Sequence, residues 1–223
     1  MTDSIASRIA SIREQLPASV RLIAVTKQVS ADAIREAYAA GVRDFGESRI
    51  QEAMEKQTQL QDLPDVTWHL IGHLQANKAT KALQQFQWIH SLDSLKLAQR
   101  LDRLAGELSC QPQVCLQVKV LPDPNKHGWS IPELLADLPS LNQCQHLKIK
   151  GLMTIPPLEL DPVQTLDLFN TTRELADKIR QQNWQYIQME QLSMGMSDDY
   201  QLAIQAGATM VRLGQILFGE RGA

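Results

Sequence analysis

Eight short apolar runs alternating with helical stretches predict an α/β fold, a single (β/α)8 TIM barrel with an extra N-terminal helix. Three observations point there. Strand-like and helical segments alternate without interruption, which requires parallel pairing through crossovers. The 223 residues lie at the small end of what eight such units need. The turn after the first run lacks the G-x-G-x-x-G of a doubly wound nucleotide-binding sheet, which would also carry fewer strands.

The leading helix is marked by Ile5, Ile9, Ile12 and Leu16 at helical spacing, behind the cap candidates Thr2-Asp3-Ser4. VRLIAVT (20–26) is the first strand; Ser30 then caps a helix carrying Ile34, Ala37 and Tyr38 that stops at Gly41. VRDFG (42–46) is the second, followed by the helical GESRIQEAMEKQTQL. VTWHLIG (66–72) is the third, with a helix near 77–83. FQWIHS (86–91) is the fourth, and the next helix carries Leu95, Ala98, Leu101, Leu104 and Leu108. PQVCLQVKV (112–120) is the fifth; the loop LPDPNKHGWS leads into a short helix opened by Pro132 and Glu133. HLKIKGLMTI (146–155) is the sixth, and Asp161-Pro162 starts a long helix with Val163, Leu166, Phe169, Leu175 and Ile179 on one face. YIQMEQLSMG (186–195), a helix in SDDYQLAIQAG with a glycine stop, and ATMVRLG (208–214) complete the series. No low-complexity linker interrupts it, so residues 1–223 are read as one domain.

Composition narrows the class. With 43% hydrophobic and 21% charged residues the chain reads as globular, and a net charge of −3 offers no basic footprint for nucleic acid or an anionic membrane. Cys110, Cys115 and Cys144 form no C-x-x-C pair, which argues for a reducing compartment rather than a disulfide framework. No leading charged-then-apolar segment and no run of eighteen apolar residues occurs, so a cytoplasmic location is expected.

Lys27 follows the first apolar run directly, at the end of a barrel strand where reactive groups gather. A lysine desolvated there becomes an amine nucleophile that forms a Schiff base with a carbonyl. Strand placement alone favours a lysine snorkelling to solvent or making an ion pair. The last two units add a second signal. Ser193, Gly195 and Ser197 surround a strand-to-helix turn, and Arg212 and Gly214 stand at the next strand end. The loops after strands seven and eight are a frequent phosphate site in barrels, although Ser-Gly-Ser turns are also plain caps. A carbonyl-seeking lysine and a phosphate cradle in one mouth suggest a phosphorylated aldehyde, and pyridoxal 5′-phosphate fits both.

The stretches LIAVTK, FGESRIQE, WHLIGHLQANK, KHG, GLMTI and LSMGMSDDYQLAIQAGATMVRLGQILFG together resemble the pyridoxal-phosphate homeostasis protein family, single-domain relatives of the alanine-racemase barrel. They run in order from residue 22 to residue 219. The resemblance implies that Lys27 carries the cofactor as an internal aldimine. It implies that Ser197 holds the phosphate with the amides of Gly214 and Gln215, and that Arg212 faces the pyridine nitrogen. Ser193, Met153 and His69 match positions lining the pocket. Where the family usually has Asn-Tyr after the glutamate, this chain has Ser48-Arg49, which removes any contact of that amide side chain.

An arginine keeps its proton, so the pyridine nitrogen beside it stays unprotonated and the ring is a weaker electron sink. The racemases use a second base, a tyrosine from a C-terminal β-domain of the partner. The sequence ends at Ala223 with no room for that domain, and Tyr38, Tyr186 and Tyr200 fall within predicted elements. Efficient racemisation is therefore not expected. The resemblance implies a role in vitamin B6 and amino-acid homeostasis, with apo-enzymes as acceptors of the cofactor. A racemase or lyase acting on an unidentified amino acid is the alternative, and a regulatory module sensing the cofactor is a third reading. A monomer is expected.

Other constellations carry less. His69 and His73 have the i, i+4 spacing of a helical zinc pair, but WHLIG reads as a strand, along which four residues span roughly 13 Å. No third ligand is evident in the sequence, and no metal is expected. His90, His127 and His146 read as surface or internally satisfied histidines. Lys78 and Lys81 read as a solvated helix face, and Lys126 with Gly128 as an exposed loop or the pocket rim. Trp68, Trp88, Trp129 and Trp184 read as packing residues.

Overall fold

The structure, a computed structural model, describes residues 4–123 and 126–219. Its strands are β1 (Arg21–Val25), β2 (Asp44–Glu47), β3 (Thr67–Leu70), β4 (Trp88–Leu92), β5 (Gln113–Lys119), β6 (Trp129–Ser130), β7 (Lys148–Met153), β8 (Ile187–Ser193) and β9 (Met210–Leu213). All pair in parallel. The order β4-β3-β2-β1-β9-β8-β7-β5 returns from β5 to β4 and closes an eight-stranded barrel, as expected from the alternation. The short β6 is an addition within the stretch expected to be loop. It pairs with the end of β5, Val118 against Trp129 and Lys119 against Ser130.

The helices are α1 (Ile5–Gln15), α2 (Ala31–Ala39), α3 (Ile50–Gln59), α4 (Ala79–Gln85), α5 (Leu95–Glu107), α6 (Ile131–Leu141), α7 (Pro162–Arg180), α8 (Tyr200–Gln205) and α9 (Gln215–Phe218). A 3₁₀ turn, Ala76–Lys78, precedes α4. Their starts follow capping chemistry. Ser4, Ser30 and Ser94 accept from backbone amides, and Ser130 with Glu133 and Asp161 with Gln164 form capping boxes. Thr2 and Asp3, the other cap candidates of the first helix, lie outside the described residues. Gly41 ends α2 at φ +90°, a backbone that residues with a Cβ rarely adopt. Two apolar positions depart from expectation. Val163 is 68% exposed because Thr165, Leu168 and Thr172 face the core from α7, and Leu108 caps the C-terminus of α5 at the surface.

Burial falls into two layers, because successive strand residues point to opposite faces. The larger layer lies between strands and helices; Ala24, Phe45, Leu70, Ile89, Leu116, Leu152 and Val211 belong to it. The smaller one fills the barrel interior with Ile23, Trp88, Cys115, Met153 and Met210. All three cysteines are free thiols; burial pushes that of Cys115 up to about 12 and that of Cys144 up to about 11. Among the described residues no helix is long and apolar enough to cross a membrane.

Candidate functional site

Lys27 lies just beyond β1, at the end of the barrel where the strands finish. The peptides on either side are fastened from behind. Thr26 donates its hydroxyl to Glu47 Oε1 at 2.6 Å, and its carbonyl accepts from Lys56 Nζ. The Gln28 amide donates to Glu52 Oε1. Lys56 also reaches Glu47 at 2.7 Å and Glu52 at 2.6 Å, so one buried ammonium ties α3 to the ends of β1 and β2. Burial raises the pKa of Glu47 despite the hydrogen bonds from Lys56 and Thr26. For Glu52 burial also pushes upward, but Lys56 and the Gln28 amide outweigh it and the pKa is lowered.

Opposite Lys27, the loop after β8 is shaped by Gly195. Its φ of +94° suits glycine, and a Cβ there would stand 2.6 Å from that of Ala203. The Gly195 carbonyl accepts from the amide of Arg212, and Asp199 accepts from the amide of Met196 at 2.6 Å. These bonds fix the turn that carries Ser197. Arg212, on β9, is buried and donates to Ser193 Oγ at 2.7 Å and the Thr154 carbonyl at 3.1 Å. Burial pulls its pKa down to about 10, which leaves it a cation at neutral pH.

A cavity of about 250 Å³ lies between these elements. Lys27, Ser197, Arg212, Gly214 and Gln215, all marked by the sequence, share its wall. Ser48, where the family usually has Asn, also lines it, and Ile71, Ile155 and Asp198 join from loops far apart in the chain with no separate signal. Ser193, Met153 and His69 stand elsewhere: they are fully buried in the barrel interior, off the cavity wall. Met153 packs on Ile23, Trp88, Cys115 and Met210, while Ser193 and His69 belong to a polar chain that includes His90. None of the three tyrosines lies on the cavity wall.

The remaining sequence candidates sit around the mouth. Arg49 and Lys78 border a neighbouring hollow with His73. Lys126 is held by the carbonyls of Ile155 and Pro156, after β7. His73, Asp93 and His127 bring ligand atoms within 4.8 Å of one another, a grouping of three loops that no spacing reveals. Their imidazoles are stacked at 3.7 Å and 10° from parallel. An ion about 2.1 Å from both ring nitrogens would stand far out of both ring planes, so the rings would have to turn before they could share one.

The site thus sits on a closed parallel barrel, with a lysine beyond its first strand and a buried arginine on its last. The model of the alanine racemase N-terminal domain matches residues 1–222. The pyridoxal phosphate homeostasis proteins of Synechocystis sp. and Pseudomonas aeruginosa are 53% and 42% identical, over 92% and 99% of this chain and 94% and 96% of theirs. PipY of Synechococcus elongatus, solved with PLP bound, is 56% identical with a TM-score of 0.93, over 97% of this chain and 100% of that one. Alanine racemase of Clostridium difficile shares the fold, at 16% identity and a TM-score of 0.82, over 100% of this chain and 58% of that one. The chain belongs to the pyridoxal phosphate homeostasis protein family.

Proposed function

We propose that this protein holds pyridoxal phosphate on Lys27 and yields it to apo-enzymes, buffering a reactive aldehyde in the cytoplasm rather than turning over a substrate. One observation carries the reading: a single small cavity gathers Lys27, Ser197, the Gly214-Gln215 turn and the buried cation Arg212. Lys27 and Arg212 share that wall with one carboxylate, Asp198, a balance that suits a phosphorylated ligand. The name of the relatives and the PLP-bound PipY support the same ligand.

Bound pyridoxal phosphate supplies an aldehyde carbon that an amine can attack, and a ring able to draw electrons. The protein's residues divide the work of holding it. The Lys27 amine would hold the aldehyde carbon covalently. Ser197 and the amides of Gly214 and Gln215 would hold the phosphate, and Arg212 would offer a donor to the ring nitrogen and keep it unprotonated. That arrangement favours holding over carbanion chemistry, and no tyrosine on the wall offers a second base. The protein is a single domain and works as a monomer.

Loaded protein mixed with a pyridoxal-phosphate-free acceptor enzyme tests this. The acceptor gains activity faster than an equal concentration of free cofactor allows. Activation no faster than the free cofactor gives, or D/L interconversion of an amino acid at about 1–10³ per second, contradicts it.

A further inference from the structure

A continuous hydrogen-bonded chain crosses the barrel interior beneath Arg212. Arg212 Nη1 lies 2.7 Å from Ser193 Oγ, and His90 Nδ1 lies 2.7 Å from the same oxygen. His90 Nε2 is 2.9 Å from His69 Nδ1, and His69 Nε2 is 2.9 Å from Asp44 Oδ1. The chain passes from β9 to β8, crosses to β4, and continues through β3 to the first residue of β2. Ser193, His90 and His69 expose no surface. The Asp44 side chain is 20% exposed, with Arg21 Nη1 3.7 Å away.

The two ends dictate the direction of every bond between them. A guanidinium only donates and a carboxylate only accepts. Ser193 Oγ meets Arg212 and His90 and, among the described residues, no other side chain. Having accepted from Arg212, it gives its own proton to His90 Nδ1. The His90 proton is then on Nε2 and goes to His69 Nδ1; the His69 proton is on Nε2 and goes to Asp44. Every buried polar atom of the chain is satisfied with both rings neutral. Burial favours that state too, lowering the pKa of His69 and, with His69, Arg212 and Arg21 nearby, that of His90 well below the usual value. The reversed chain would need a protonated Asp44 and would leave the Ser193 hydroxyl with no acceptor.

We propose that Asp44, His69, His90 and Ser193 are positioning residues for Arg212. A carboxylate at the N-terminal end of the barrel sets, through two neutral imidazoles and a hydroxyl, the aim of the guanidinium at the opposite mouth. The ligand's identity rests on the function proposed above; the chain itself does not. Side chains at the N-terminal end of such barrels ordinarily serve stability alone, so an effect of Asp44 on the cavity separates the two roles.

Asp44→Leu removes the acceptor, whereas Asp44→Asn keeps an acceptor oxygen in place. Asp44→Leu should bind pyridoxal phosphate about tenfold more weakly, with a shifted absorption band, and bind inorganic phosphate as the wild type does. Asp44→Asn should recover to within about twofold of wild type. Nitrogen-15 spectra of the cofactor-free wild type should show the Nε2–H tautomer at both His69 and His90. An Nδ1–H tautomer at either ring overturns the proposal. So does Asp44→Leu that binds both ligands like the wild type or loses both equally, or Asp44→Asn no better than Asp44→Leu. If the wild type binds no pyridoxal phosphate, the proposed function fails while the tautomers still judge the chain.

Discussion

Gln28 turns its backbone left-handed at φ +61°, a conformation that costs a residue with a side chain about 1–2 kcal/mol. Its amide donates a hydrogen bond to Glu52 and the Val29 amide donates one to the Thr26 carbonyl; these hold the turn, and Lys27 stands between the fastened residues. The buried histidines make stability depend on pH. His69 and His90 have folded-state pKa values below the unfolded value of about 6.5. The unfolded chain therefore binds more protons in that window, and the stabilising effect of the neutral rings, full above about pH 6.5, is lost as pH falls. Each ring contributes a slope of at most about 1.4 kcal/mol per pH unit. Denaturant unfolding at pH 7, 6 and 5 should show a smaller slope for His90→Gln than for the wild type; equal slopes would mean that His90 titrates freely. Lys27, Ser197 and Arg212 were legible in the sequence because strand ends and a Ser-Gly-Ser turn mark them. A period of two places Ser193, Met153 and His69 inside a barrel but says nothing of their depth, and depth separates the cavity wall from the polar chain.

At the scale of elements, the joint between β1, β2 and α3 is an ion cluster where apolar packing would be usual. Lys56 is 7% exposed and Glu47 fully buried, with Glu47 Oε2 lacking a partner among the described residues. Removing one member leaves a buried charge uncompensated, so Lys56→Met should cost about 3–5 kcal/mol. Glu47→Leu combined with Lys56→Met should recover most of that loss, because the desolvation cost disappears with both charges. A loss below about 1 kcal/mol for Lys56→Met in denaturant unfolding would show that water already reaches the cluster. Nothing in the helical stretch GESRIQEAMEKQTQL marks Lys56 as internal; only its contact with the strand ends does. The eight barrel strands were legible because strands covered on both faces appear as near-continuous apolar runs. β6 was not, since a two-residue pairing leaves no period to read.

Across the whole molecule, closure of the barrel makes the site. β1 and β9, the first and last strands, lie side by side, so Lys27 faces Arg212 and Gly214 although most of the chain separates them. Pairing of the neighbouring strands β3, β4 and β5 brings His73, Asp93 and His127 together, which no local pattern connects. The central claim, that this mouth exists to hold an aldehyde on Lys27, is tested most directly by borohydride reduction. Wild type and Lys27→Ala are incubated with pyridoxal phosphate, reduced, digested and mass-analysed. One reduced adduct is expected on the peptide containing Lys27 in the wild type, and none in Lys27→Ala. A wild type left unmodified, or adducts spread alike over surface lysines in both proteins, would contradict it.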